Sequence, residues 1–241
     1  MMKKKIFVIV IVLLLVFCLV LSLINGNRAN QLCINIKEER NQEAIAIAGK
    51  MNNLNVPSTP IVWLTELVEG TVTTPLTVAC ETGNSEMISY LLEHGADVNY
   101  APGNVSYPLE AFCSSGTGAG IDTLELLLNN KANPDEYKQI PPLFRVAETL
   151  QHRQENTYET GVKMVLLLLE NGAKWQNPID GYTILHYAAF QDNAILMTEL
   201  LKKNESERWL NTKNNQGETP LDIATRKKNM ECVDLLRKAG T

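Results

Sequence analysis

The chain opens with Lys3-Lys4-Lys5 and then runs apolar without interruption from Ile6 to Ile24, with only Cys18 and Ser22 departing from aliphatic and aromatic character. At about 1.5 Å per residue, a helix over these 19 positions spans about 30 Å, the thickness of a bilayer's hydrocarbon core. A cleaved export signal would have an apolar stretch of about 7–15 residues followed by a small-x-small site. The run here is longer, and Asn25-Gly-Asn-Arg-Ala-Asn30 offers no such site. The pattern therefore predicts an uncleaved signal anchor, a transmembrane helix over 6–24. Three lysines precede it and only Arg28 follows closely, so the positive-inside rule keeps the N-terminus cytosolic and sends the rest outside. In a Gram-negative bacterium that compartment is the periplasm.

Beyond the anchor the pattern changes. Residues 25–40 read as a polar linker. Asn41 to Asn53 then places Ala44, Ile45, Ile47, Ala48 and Met51 at helical spacing, and Thr59 to Glu69 does the same with Ile61, Leu64, Leu67 and Val68. Next come five segments that align: Thr74-Pro-Leu-Thr-Val-Ala-Cys80, Tyr107-Pro-Leu-Glu-Ala-Phe-Cys113, Pro141-Pro-Leu-Phe-Arg-Val-Ala147, Thr183-Ile-Leu-His-Tyr-Ala-Ala189 and Thr219-Pro-Leu-Asp-Ile-Ala-Thr225. Their second positions fall at 75, 108, 142, 184 and 220, so successive spacings are 33, 34, 42 and 36. Each segment is followed by a leucine-rich stretch, and two of these run into Gly-Ala, at Gly95-Ala96 and Gly172-Ala173.

These five registers resemble the ankyrin repeat, a unit of about 33 residues built from a β-turn and two antiparallel helices with a T-P-L-H-x-A signature. Proline at the first helical turn loses no hydrogen bond, and glycine after a helix supplies a left-handed cap. The resemblance implies an all-α solenoid of helix-turn-helix units after one transmembrane helix. Its parts are a degenerate N-terminal capping repeat at 41–70 and repeats at 71–103, 104–137, 138–179, 180–215 and 216–241. The last repeat, charged at Arg226-Lys-Lys228, serves as the C-terminal cap. Only the fourth segment keeps the signature histidine, His186, and it has lost the proline. The third repeat carries extra residues over Leu150–Tyr158, and the second is loosened around Gly116–Gly120.

The chemistry is sparse. His94, His152 and His186 are the only histidines, and no HExxH, Gly-x-Ser-x-Gly or phosphate loop occurs. His94 and His186 read as structural. His152 with Glu155 and Glu159 could share a helix face, but the stretch reads as a solvated loop. The five cysteines are widely spaced with no CxxC, and Cys80 and Cys113 hold equivalent core positions. Beyond residue 5 the chain carries 19 basic against 27 acidic side chains, which speaks against non-specific nucleic-acid binding. No enzyme activity, cofactor, metal or small-molecule substrate is expected.

The resemblance implies a protein-binding module, here held at the membrane on its extracytoplasmic side. An inhibitor or immunity protein is the preferred specialisation. The alternatives are a scaffold for an envelope enzyme and a hydrolase using the insertion of the third repeat. Aromatics at turn tips contribute little to a repeat core but are frequent interface anchors. Tyr100, Tyr137, Trp175 and Tyr182 are expected there, with Phe190 and Gln191 following the first helix of the fourth repeat, as the partner-binding residues.

Overall fold

In the computed structural model, the three aligned segments that begin with threonine each start a helix through that residue's side chain. Thr74 accepts a hydrogen bond from the Thr77 N–H, Thr183 from the His186 N–H and Thr219 from the Asp222 N–H, the capping geometry that satisfies an otherwise orphaned donor. The structure describes residues 2–58, 73–115, 120–150 and 155–240, with part of the side chains of residues 2–23 and 155–158 left out. The helices are α1 (Met2–Lys37), α2 (Asn41–Ala48), α3 (Pro75–Thr82), α4 (Ser85–Glu93), α5 (Pro108–Ser114), α6 (Ile121–Asn129) and α7 (Pro142–Thr149). They continue with α8 (Glu155–Glu170), α9 (Ile184–Phe190), α10 (Ala194–Leu201), α11 (Ser206–Leu210), α12 (Pro220–Lys227) and α13 (Met230–Ala239). Among the described residues there is no strand, only an isolated antiparallel bridge between Gln176 and Thr183. The chain divides into two compact units, 1–108 and 109–241.

In the first unit α1 packs on α2 and α3, α2 on α4, and α3 on α4. The expected linker at 25–40 is helical through Lys37, one continuous element with the segment before it. Ala29, Leu32, Cys33 and Ile36 follow i, i+3, i+4, i+7 spacing and are buried, so this is an amphipathic docking stripe among polar residues. The end of α1 and α2 thus form the helix pair ahead of the first full repeat. Of the capping pair expected at 41–70, the first helix is α2, ending at Ala48, and the second, at 59–69, lies outside the described residues. Earlier in α1 the successive side chains Leu13, Leu14, Leu15, Val16 and Phe17 are all exposed, each by more than half. Counting described side chains alone, no helix is long and apolar enough to cross a membrane. The expected span Ile6–Ile24 lies in part outside those side chains.

In the second unit α7 packs on α8 and α9, α9 on α10 and α12, and α13 on α10 and α12. The core is the face made by Leu143, Phe144, Val165, Leu168, Leu185, Leu196, Leu200, Val233 and Leu236. Leu185 is fully buried, whereas its counterpart Leu221 is only half-buried, because the side of α12 away from α9 is covered by no further helix here. The extra residues of the third repeat are helical from Glu155, lengthening α8 to 16 residues. His152 lies outside the described residues and Glu159 is exposed. Gly95 in the first unit, at φ +88°, ends α4 in the left-handed conformation that the Gly-Ala pattern suggests. Cys33, Cys80, Cys113 and Cys232 are buried thiols. Burial pushes Cys33 and Cys232 up to about 12, which leaves them inert packing groups.

The fourth residue of each of the first four aligned segments makes a contact with the following repeat. The Thr77 hydroxyl donates to the Ser106 carbonyl at 3.3 Å. Buried Glu110 accepts from the N–H groups of Lys138, Gln139 and Ile140 at 2.9, 2.8 and 3.4 Å. The Phe144 ring lies 5.1 Å from that of Tyr187. His186 Nδ1 accepts from the Thr183 N–H at 2.9 Å, so it carries no proton and Nε2 donates to the Glu218 carbonyl at 3.0 Å. Protonating Nδ1 would set a donor against a donor.

Two expectations test these ties. Glu110→Ala leaves three backbone donors without their charged acceptor, and chemical denaturation should show a loss of about 2–3 kcal/mol; an unchanged midpoint would mean the ties are incidental. Burial lowers the His186 pKa, and the carbonyl of Glu218 with the carboxylates of Asp180, Glu218 and Asp222 offsets this only in part. The unfolded chain then binds the proton more tightly, so His186's contribution is complete above about pH 6.5 and falls away as pH drops through that value. The melting temperature should decline from about pH 7.5 to 5, and His186→Gln should flatten that decline.

Candidate protein-binding surface

The turn before α9 is a tight finger. The Ile184 N–H donates to the Trp175 carbonyl at 2.8 Å, the Asn177 N–H to the Tyr182 carbonyl at 2.7 Å, and the Gly181 N–H to the Asn177 carbonyl at 2.9 Å. Buried Asn177 braces it from within, its Oδ1 accepting from the Ile179 N–H and its Nδ2 donating to the Tyr187 hydroxyl. Gly181, at φ +74°, lets the next finger approach: a Cβ there would lie 2.6 Å from Asn215 Oδ1. The Asn215 N–H donates to the Asp180 carbonyl at 3.1 Å, so the two fingers are hydrogen-bonded side by side.

Outside this finger the indoles of Trp175 and Trp209 stack, with centroids 6.3 Å apart and planes 12° from parallel. Trp209 comes from α11, a short helix between α10 and the last repeat that packs on α10 and α13. The Arg208 guanidinium sits 4.7 Å from the Trp209 ring centroid, a cation–π contact. These side chains, with Lys174, Gln176, Asn177, Pro178 and Asn215, line an open cleft of about 640 Å³. A smaller hollow of about 150 Å³ adjoins it, sharing Lys174, Gln176 and Pro178 and reaching Pro134, Tyr137 and Phe144. Between the two, Lys174 pairs with Asp135, Nζ to Oδ2 at 3.3 Å.

The six residues expected to bind a partner divide by place. Trp175 and Tyr137 line the cleft and its neighbouring hollow. Tyr182 is half-buried and turns inward, its ring 5.3 Å from His186 and 5.6 Å from Tyr187. Tyr100 is half-buried in the first unit, its N–H donating to the Asp97 carbonyl. Phe190 and Gln191 lie at the far end of α9 from the finger. Phe190 is exposed, with Lys227 Nζ 3.9 Å above its ring, and Gln191 Oε1 is a buried acceptor with no partner among the described residues. Trp209 and Arg208 are absent from the six, and the signal that could have found them is the spacing of 36 from 184 to 220, longer than the 33-residue unit.

The family comparison agrees with these two fingers and their helix pairs. The family model described as ankyrin repeats (3 copies) matches residues 156–241, and that of the single ankyrin repeat matches residues 73–101. The chain carries ankyrin repeats. Neither match reaches 102–155, where the second repeat departs from the signature and the third is extended. A relative, the putative E3 ubiquitin-protein ligase XBAT31 of Arabidopsis thaliana, is 26% identical over 133 residues, which are 50% of this chain and 27% of that protein. The likeness thus covers about a quarter of the relative's length. Ankyrin repeats point to binding another protein, and among the described residues no group of three His, Cys, Asp or Glu could hold a metal ion. The distinctive chemistry here is aromatic and cationic surface at the finger side of the ankyrin repeats.

That surface separates anchors from scaffold. Trp175→Ala should weaken partner binding by about 2 kcal/mol or more with little change in melting temperature, as for an interface anchor. Tyr182→Ala should lower the melting temperature by removing packing on His186 and Tyr187. Paired affinity and melting measurements check both, and the reverse outcome would move the binding face elsewhere.

Proposed function

We propose that this chain is a membrane-tethered ankyrin-repeat module that captures another protein through the Trp175–Trp209 cleft. The observation that carries it is that pair of half-buried indoles with an arginine on one face. Trp and Arg dominate binding energetics where they cluster, and a repeat core has no need of them at its turn tips. A module of this kind acts on its partner by occupying it, so an inhibitor or immunity protein is the use we propose.

The tether is supported by α1. Five consecutive side chains from Leu13 to Phe17 cover every side of a helix, and all are exposed. An apolar stretch of helix whose described side chains are exposed on every side suits lipid as its solvent. Lys3-Lys4-Lys5 then sets the N-terminus in the cytosol and the repeats on the extracytoplasmic side.

Topology and binding have separate tests. A reporter active only outside the cytosol should work when fused after Thr241; activity of a cytosol-only reporter there would reverse the orientation. Proteins cross-linked to the full chain in membranes should include one lost with Trp175→Ala and retained with an exposed control such as Lys163→Ala. A partner captured equally by both forms removes the cleft from the function.

A further inference from the structure

The cleft has a charge opposite to that of the chain. The whole sequence carries a formal net charge of −5. Yet the lining residues include two cations, Lys174 and Arg208, and no carboxylate at all. Lys174 is partly neutralised by Asp135, which faces the adjoining hollow. Arg208 has no ion pair among the described residues and is exposed. Its guanidinium is held over the Trp209 face, which leaves its planar fork of donors to a ligand.

We propose that the cleft binds an acidic linear peptide segment of the partner. Its carboxylates lie against Arg208 and Lys174, and a neighbouring proline or aliphatic side chain lies on the exposed indole surface of Trp175 and Trp209. This deepens, and rests on, the protein-binding reading above.

Three features select that occupant. A guanidinium fork fits a carboxylate with two parallel hydrogen bonds, stronger than neutral ones. The indole centroids are 6.3 Å apart. Inserting a flat ring between two stacked planes would require them to open further, so apolar groups pack on the outer indole surface instead. The volume of about 640 Å³ falls within the usual range for a pocket that engulfs a small ligand or a few residues of chain, roughly 300–1,000 Å³. Nucleic acid is disfavoured, because two cations on an acidic chain make no track for a phosphate backbone.

The test uses the full-length protein in detergent micelles and a random seven-residue peptide library. Recovered sequences should be enriched in Asp and Glu beside proline or aliphatic residues. A representative peptide should quench tryptophan fluorescence saturably. Arg208→Glu, a surface substitution, should weaken it about tenfold, and Trp209→Ala should abolish the quenching. Raised salt should weaken the wild type and leave Arg208→Glu nearly unaffected. Neutral or basic consensus sequences, no enrichment, equal binding to Arg208→Glu, or tighter binding of a single-stranded oligonucleotide at the same residues would each overturn the proposal. If a cross-linked partner still depends on Trp175 while the library selects no acidic sequence, the protein-binding reading stands and the acidic ligand falls.

Discussion

Among the described residues, the aligned segments are tied in series by contacts from the fourth residue of each of the first four to the repeat that follows. The signature has histidine at that place, and this sequence supplies Thr77, Glu110, Phe144, His186 and Asp222 in turn. The variety follows from what each residue meets. Thr77 and His186 face a carbonyl and act as donors. Glu110 faces three N–H groups and must accept, which a neutral histidine nitrogen could do for only one of them. Phe144 meets a ring and supplies area instead. Asp222 meets no following turn and folds back to cap its own helix through Thr219. Complementarity to the next turn is the constraint, and residue identity is free within it.

That constraint explains what could be read from the chain. The repeat phase was legible because Thr, Pro and Leu have local work: a cap, a preset first turn and a buried contact. Leu185 is buried where the register places it. The docking half of α1 was missed and read as a linker, because Asn25 to Asn30 and the charged residues to Arg40 dominate its composition, although Ala29, Leu32, Cys33 and Ile36 recur at helical spacing. Periodicity was the better guide there than polarity. The ring contacts of Tyr182 with His186 and Tyr187 were not legible, because they depend on which way a finger turns its side chains.

The candidate site shows the other limit. Trp175 stands in a register of turn and helix that recurs along the chain, so its position at a tip follows from counting. Trp209 stands in extra chain between α10 and α12, where counting from the repeat has no reference. Their pairing needs α11 to fold as a short helix against α10 and α13, a tertiary event. Insertions in a repeat array cost the core little, since each repeat's buried face is made by its neighbours. They are therefore where a shared scaffold acquires a surface of its own. Here one such insertion places a tryptophan and an arginine over a finger whose backbone is already fixed by Asn177 and Gly181.

The continuity of α1 gives the proposed tether a mechanical sense within the first unit. A flexible linker would leave the repeats free to tumble at the end of a leash. Here the same helix that exposes Leu13 to Phe17 buries Ala29, Leu32, Cys33 and Ile36 against α2 and α3. From Phe17 to Ala29 is twelve residues, about 18 Å of helix, with the Arg28 guanidinium fastened to the Lys50 carbonyl at 2.8 Å near its docked end. With the exposed half in a bilayer, the first repeat stands at a set height and angle above it.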